Sequence, residues 1–194
     1  MNDDPIDIFT KWFEVAKNDK RIADATAMTL ATADKNAVPS ARIVLLKGYD
    51  KNGFVFYTNL GSKKSLELKE NPNACLCFYW QPLGKQVRIY GKAKLVSDAD
   101  ADIYYESRPF LSRLGAWASN QSETLDERAT LVKKLDELQK IYSEETPPPR
   151  PPHWSGWLIK PNAIEFWNDG EFRLHDRELY ERDGADWKVR KLYP

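Results

Sequence analysis

The sequence predicts a mainly β protein with inserted helices (α+β), its antiparallel strands forming a closed or nearly closed barrel, and three observations carry that expectation. Runs rich in β-branched and aromatic residues, bounded by turn formers, occupy both ends of the 194-residue chain. Helical periodicity is confined to the N-terminus and the middle. Between that middle and the last strands lies TPPPRPP (146–152), where proline removes amide donors and fixes φ, so an extended connector is expected.

Pro5 behind Asp4 marks a helix start, and Ile6, Phe9, Phe13 and Ala16 share one apolar face through about Lys17, so residues 1–20 read as an amphipathic helical segment. ATAMTLATAD (25–34), VPSARIVLLKGYD (38–50) and GFVFYT (53–58) read as three strands of an antiparallel meander, separated by Asp34-Lys35-Asn36 and Asp50-Lys51-Asn52-Gly53. Ser62 is placed to cap a short helix through Glu70, which Asn71-Pro72 ends. ACLCFYW (74–80) and KQVRIYGKAKLV (85–96) read as a hairpin around Pro82-Leu83-Gly84. A helix from Asp98 to about Glu106 is interrupted by Arg108-Pro109, and a charged helix from about Leu125 to Tyr142 sets Leu131, Leu135 and Leu138 on one stripe. WSGWLIKP, AIEFWND, FRLHDRELYER and DWKVRKLYP read as closing strands, with turns at Asn168-Asp169-Gly170 and Asp183-Gly184. One domain spanning 1–194 is expected from the length.

Composition narrows the function. Basic and acidic residues balance at 29 each, so bulk electrostatics favour neither nucleic acid nor a membrane surface, and neither partner is expected. Cys75 and Cys77, two apart on a strand, share a face without disulfide geometry and read as buried thiols. The first twenty residues lack a secretory pattern and no run approaches a bilayer span, so a cytoplasmic location is expected. His153 and His175 are the only histidines and no metal-ligand spacing occurs, so no metal is expected. Glycine-rich dinucleotide turn, phosphate loop and nucleophile elbow are all missing.

What remains is a set of cations beside strands and helix starts: Arg42, Lys47, Lys63, Lys64, Arg88, Arg108, Arg113, Arg173 and Arg177. Guanidinium and ammonium groups suit phosphate oxygens, most of all where a helix start such as Ser62-Lys63-Lys64 leaves amides free. Taken singly, each is more simply a solvated surface charge. In RIVLLK (42–47) an ideal strand puts Arg42, Val44 and Leu46 on one face and Ile43, Leu45 and Lys47 on the other. Bringing both cations to one ligand therefore needs a bulge, a twist or a subunit interface. In EFWNDGEFRLHDR (165–177), Arg173, His175 and Arg177 alternate on one expected strand face beside Trp167. Three such groups repel unless an anion or an electron-rich ligand lies over them.

Together with YTNLGSKK (57–64), NPNACLCFYW (71–80), KQVRIYG (85–91), YYESRP (104–109), GAWASNQS (115–122) and IEFWNDG (164–170), these segments run in an order that closely resembles the pyridoxine/pyridoxamine 5′-phosphate oxidase family over nearly the whole chain. The resemblance implies a split antiparallel β-barrel that binds flavin mononucleotide (FMN) and works as a homodimer. It implies that the segment Arg42, Ile43, Val44, Leu45, Leu46 and Lys47 binds the cofactor, that Arg42, Lys64, Gln121 and Ser122, helped by Lys63, hold its phosphate-ribityl arm, and that Tyr57, Thr58, Gln86, Trp167 and Arg177 contact the remainder. Lys47, Tyr104, Arg108 and Ser112 would surround the substrate phosphate, with Arg173, Leu174 and His175 at the pyridine ring and Arg173 and His175 as the catalytic pair.

The implied reaction oxidises pyridoxamine or pyridoxine 5′-phosphate to pyridoxal 5′-phosphate by hydride transfer to FMN, dioxygen being reduced to hydrogen peroxide. Family members usually carry arginine where this chain has Lys63 and Lys85, which keeps the charge and loses the planar fork. The N-terminal segment is short, so a lid role for it has little support in the sequence and stays open. Two other readings stay open here: a split-barrel flavin reductase using nicotinamide, against which RLHDR and YYESRP argue, and a carrier that binds without turnover, which only activity separates.

Overall fold

The computed structural model describes residues 4–194, so the first three residues of the expected N-terminal segment lie outside it. Helix α1 (Pro5–Asn18) starts as its sequence dictates: the Asp4 side chain accepts from the Ile6 amide and proline fills the first turn. Its buried face is Ile6, Phe9, Phe13 and Ala16. Phe9 lies edge-on to Tyr49 and Phe54 at 4.9 Å, so α1 plugs an end of the barrel with aromatic packing.

Among the described residues nine strands form one antiparallel sheet. They are β1 (Ala27–Ala33), β2 (Pro39–Leu45), β3 (Gly48–Asp50), β4 (Gly53–Asn59), β5 (Asn73–Trp80), β6 (Lys85–Leu95), β7 (Trp154–Asn168), β8 (Asp176–Asp183) and β9 (Asp186–Leu192). The order is β2-β1-β5-β6-β7-β4-β3, with β8 on β7 and β9 on β8. The expected meander is therefore corrected. The run 38–50 is two strands, and β1–β2 and β3–β4 are separate hairpins at opposite ends of the path. Leu46 and Lys47 join those ends: the Leu46 amide bonds Thr26 O at 2.9 Å, and the Lys47 amide bonds Val55 O at 2.8 Å. That link draws the sheet into a barrel.

Strand β7 was expected as two strands and is one, 15 residues long and passing through Pro161. Proline is tolerated because the register with β6 shifts there, from Gly91↔Pro161 to Tyr90↔Ala163, leaving Asn162 bulged. The bulge keeps Glu165 and Trp167 on the same outward face as Leu158 and Lys160, while Trp157, Ile159, Ile164 and Phe166 fill the core. One half of β7 pairs with β4 and the other with β8, which splits the barrel.

The helices lie between strands, as expected. They are α2 (Lys63–Glu70), α3 (Asp98–Glu106), α4 (Phe110–Ala118) and α5 (Arg128–Ile141). Helix α4 was not anticipated: Pro109 ends the preceding segment but then occupies the N-cap of the next. Helix α5 starts at Arg128, later than expected, and buries no residue fully. Ser62 precedes α2 without capping it, because its hydroxyl donates to Asn59 O at 2.7 Å. Cys75 and Cys77 are free, as expected, but half-buried on the outward face rather than in the core. Among the described residues no helix is long and apolar enough to cross a membrane.

Candidate functional site

A cation cradle forms where α2 meets β4. Lys64, only 8% exposed, donates from Nζ to Thr58 Oγ1, Ser62 Oγ and Gln121 Oε1 at 3.2, 3.2 and 3.1 Å. Burial, followed by the repulsion of Arg42, pulls its pKa below the ordinary lysine value. Gln121 also accepts from Thr58 at 2.9 Å, and Asn59 fixes the loop ahead of it by donating to Ser119 O. Arg42 reaches the same region from β2, bonding the Thr32 hydroxyl and, at 3.1 Å, Glu67 Oε2. Lys63 stays largely in solvent with Nζ 3.9 Å from Glu67, and Ser122 is exposed at a left-handed φ of 78°. Glu67 was not anticipated, although its spacing of four from Lys63 is the signal of a helical ion pair.

Beside the cradle, Tyr57 lies across β7 at Gly156, where a side chain would put its Cβ within 2.7 Å of the tyrosine ring. The ring stacks on Tyr104 at 4.0 Å and on Trp154 at 5.3 Å. The Arg108 guanidinium covers Trp154 at 4.8 Å, and its Nη1 is buried with no hydrogen-bond partner among the described residues. Burial lowers its pKa. Tyr104, Arg108 and Ser112 do not share one helix, since α3 ends before Arg108 and α4 begins after Pro109. Arg150 ties the proline connector to α3 by bonding Asp98, Asp102 and Trp154 O. A groove of about 1010 Å³ opens here, lined by Lys47, Tyr57, Leu95, Ile103 and Tyr104 among others.

A second group sits at the far end of β7. Register places Gln86 opposite Trp167 and Trp167 opposite Arg177, a row across three strands on the outward face. Arg88 and Arg177 both hold the buried Glu165, Arg177 Nε donating to Oε1 at 2.9 Å. The expected alternation of Arg173, His175 and Arg177 is corrected, because only Arg177 belongs to a strand. Arg173 ends a short 3₁₀ turn (Glu171–Arg173) in which Phe172 and Arg173 have φ of 55° and 64°. Two such consecutive non-glycine residues cost about 1–2 kcal/mol each. Gly170 permits the turn, since a Cβ there would meet Leu174 O at 2.2 Å. His175 packs against Trp167 with the rings tilted and their centroids 4.6 Å apart, and its Nδ1 lies 3.2 Å from the Gly170 amide and 3.1 Å from Asp169 Oδ1. It accepts from the amide when neutral and donates to the carboxylate when protonated. Leu174 is exposed. Of the RIVLLK segment, Ile43 and Leu45 face outward, Val44 is half-buried and Leu46 joins the core.

A split antiparallel barrel with a cation cradle, an aromatic stack and an outward row of Gln, Trp and Arg defines a barrel protein built to take a flat, phosphorylated ligand. A family model described as pyridoxamine 5′-phosphate oxidase matches residues 15–142, and one for the pyridoxine 5′-phosphate oxidase C-terminal dimerisation region matches 154–194. The chain belongs to the pyridoxine/pyridoxamine 5′-phosphate oxidase family. It is 51% identical over 192 residues to the enzyme so named from Pelagibacter ubique, covering 98% of this chain and 92% of that one. To that of Zymomonas mobilis it is 49% identical over 194 residues, covering 100% of both. Among solved structures, PhzG from Burkholderia lata 383, in complex with tetrahydrophenazine-1-carboxylic acid, superposes with a TM-score of 0.93 at 33% identity, covering 100% and 94% of the two chains. A pyridoxamine 5′-phosphate oxidase-related, FMN-binding protein of Nostoc punctiforme shares the fold, with TM-score 0.78 at 20% identity over 100% of both.

Proposed function

We infer that this chain oxidises pyridoxine and pyridoxamine 5′-phosphate to pyridoxal 5′-phosphate, as a homodimeric, FMN-dependent and cytoplasmic oxidase with one domain per subunit. The observation that carries the substrate reading is Arg108: a half-buried guanidinium with an unpaired Nη1, set over Trp154 beside the Tyr57–Tyr104 stack. Such a group is completed by an anion, and the stack beside it suits an aromatic ring. Lys47, Tyr104, Arg108 and Ser112 take the substrate phosphate.

The cradle fits a cofactor phosphate by its own chemistry. Lys64 is buried with its hydrogen bonds going to neutral oxygens, at the start of an eight-residue helix, and Arg42 approaches from β2. Lys64, Arg42, Gln121 and Ser122 hold the phosphate arm with Lys63 at the rim. Tyr57, Thr58, Gln86, Trp167 and Arg177 contact the rest, and the segment Arg42 to Lys47 borders it. Bound FMN supplies the hydride acceptor, and dioxygen takes the electrons on as hydrogen peroxide. Arg173 orients the pyridine ring, and His175 exchanges a proton or steadies Arg173, its Nε2 side being free of the Gly170 and Asp169 contacts at Nδ1. Fixing both rings supplies much of the catalysis, since positioning is worth about 7–11 kcal/mol in well-oriented reactions.

Each site draws on two subunits. Gly156, under Tyr57, and Trp167 are eleven residues apart on β7, about 35 Å of strand at the usual rise, and the two groups of proposed site residues divide between those ends. A two-fold dimer in which one end of β7 lies against the other end of its partner brings the two groups together.

The test loads the purified protein with FMN, removes oxygen, adds pyridoxine or pyridoxamine 5′-phosphate and follows flavin absorbance. Bleaching that reverses in air, with peroxide released, is expected. No bleaching with either substrate while flavin stays bound would refute the oxidase reading.

A further inference from the structure

Glu67 is a buried carboxylate, 5% exposed, that the reaction itself has no use for. It accepts from Thr32 Oγ1 at 2.6 Å, from Ser40 Oγ at 2.5 Å and from Arg42 Nη2 at 3.1 Å, with Lys63 Nζ 3.9 Å away. Burial pushes its pKa up, but the bonds from Ser40, Thr32 and Arg42 outweigh that and hold it below the ordinary carboxylate value. Among the described residues Lys64 hydrogen-bonds to neutral oxygens, and Glu67 acts on it through space. Three cations, Arg42, Lys63 and Lys64, thus share one carboxylate. The surplus of two positive charges matches the roughly −1.5 to −2 carried by a phosphate monoester near neutral pH.

We propose that Glu67 is an internal counter-ion of the cofactor-phosphate cradle: it holds Arg42 and steadies the cation cluster in the FMN-free protein, and its charge lowers the affinity of the site for the phosphate. Like charges gathered in a half-buried site repel strongly, so one fixed carboxylate stabilises the empty cradle. The same carboxylate then repels the incoming dianion. The idea rests on the cradle reading given above. Glu67→Gln tests it, because the amide keeps the size and most hydrogen-bonding capacity while removing the charge.

The experiment measures, for FMN-free wild type and E67Q, the thermal midpoint, and the dissociation constants of FMN and of riboflavin, which lacks the phosphate, by quenching of flavin fluorescence. Expected for E67Q are a midpoint lower by several degrees, FMN bound at least threefold more tightly, and riboflavin affinity unchanged. Unchanged or weaker FMN binding, an equal gain for riboflavin, or an unaltered midpoint would each overturn the proposal. Lys63→Gln, at an exposed position, supplies a second arm if E67Q does not fold. It should lower the FMN-to-riboflavin affinity ratio without lowering the FMN-free midpoint, and either opposite result contradicts the counter-ion role. Lys64→Ala separates the underlying reading: if FMN binds this variant as tightly as wild type, the cradle itself is misplaced, whatever Glu67 does.

Discussion

A buried guanidinium nitrogen without a partner is costly until an anion completes it, and Arg108 Nη1 is in that state. Arg108→Ala should raise KM for phosphorylated substrate roughly ten- to hundredfold, the worth of a charge-assisted hydrogen bond, while FMN binding holds. Steady-state kinetics with a flavin titration check this, and an unchanged KM would remove Arg108 from the substrate site. Lys63→Arg should tighten FMN binding by restoring a planar fork, and a fluorescence titration showing no gain would contradict it. Cys75 is half-buried on the outward face of β5. Burial first, then the neighbouring Cys77, pushes its thiol up to about 11. At pH 8 that leaves roughly a hundredfold less thiolate than an ordinary thiol, so alkylation of the native protein should be correspondingly slow and should recover on denaturation. At this scale the sequence located cations but not their neighbours. Lys64 is a candidate phosphate ligand by type and helix position and Arg42 by type, whereas the hold of Glu67 on Arg42 spans 25 residues and leaves no local trace beyond its spacing from Lys63.

The elements that could be read were those whose signals are local. Asp4-Pro5 with a four-residue apolar repeat gave α1, and Pro82-Leu83-Gly84 gave the β5–β6 hairpin. Helix α4 was hidden because Pro109 stops one helix and begins another. The RLHDR segment misled because its alternation copies a strand, while positive φ at Phe172 and Arg173 turns it into a loop. Gly156→Ala forces the Tyr57 ring off the strand, so KM should rise several-fold; unchanged kinetics would mean that the stack does not shape the groove. Glu165 links β6, β7 and β8 through Arg88 and Arg177. Burial pushes its carboxyl up, but the bonds from both arginines dominate and leave it below its ordinary value of 4.5. A depressed pKa means stability that is present above the unfolded value and lost as pH falls through the folded one. Glu165→Gln should therefore flatten the acid limb of the stability–pH curve below about 4.5, which denaturant midpoints against pH would show. An acid limb as steep as wild type would rule the network out as its cause.

For the whole molecule, an antiparallel barrel was legible in the distribution of strands, but their order was not. The β4–β7 pairing joins Tyr57 to Gly156, about a hundred residues on, and nothing local encodes it. The same long-range order explains why the proposed site residues fall into two groups on one β7. Arg108 lies at the end that carries Trp154, and Arg173 follows the end that carries Trp167. On the proposed reading neither group is a site alone, and every active site joins the Arg108 end of one subunit to the Arg173 end of the other. Mixed dimers of Arg108→Ala and Arg173→Ala subunits, separated by two different tags, test it most directly. With substrate well below KM, each parent dimer should be nearly inactive and the mixed dimer should regain about half of wild-type kcat/KM, because both lesions fall in one site and leave the other intact. A mixed dimer no more active than its parents would place both arginines in the same subunit's site and contradict it.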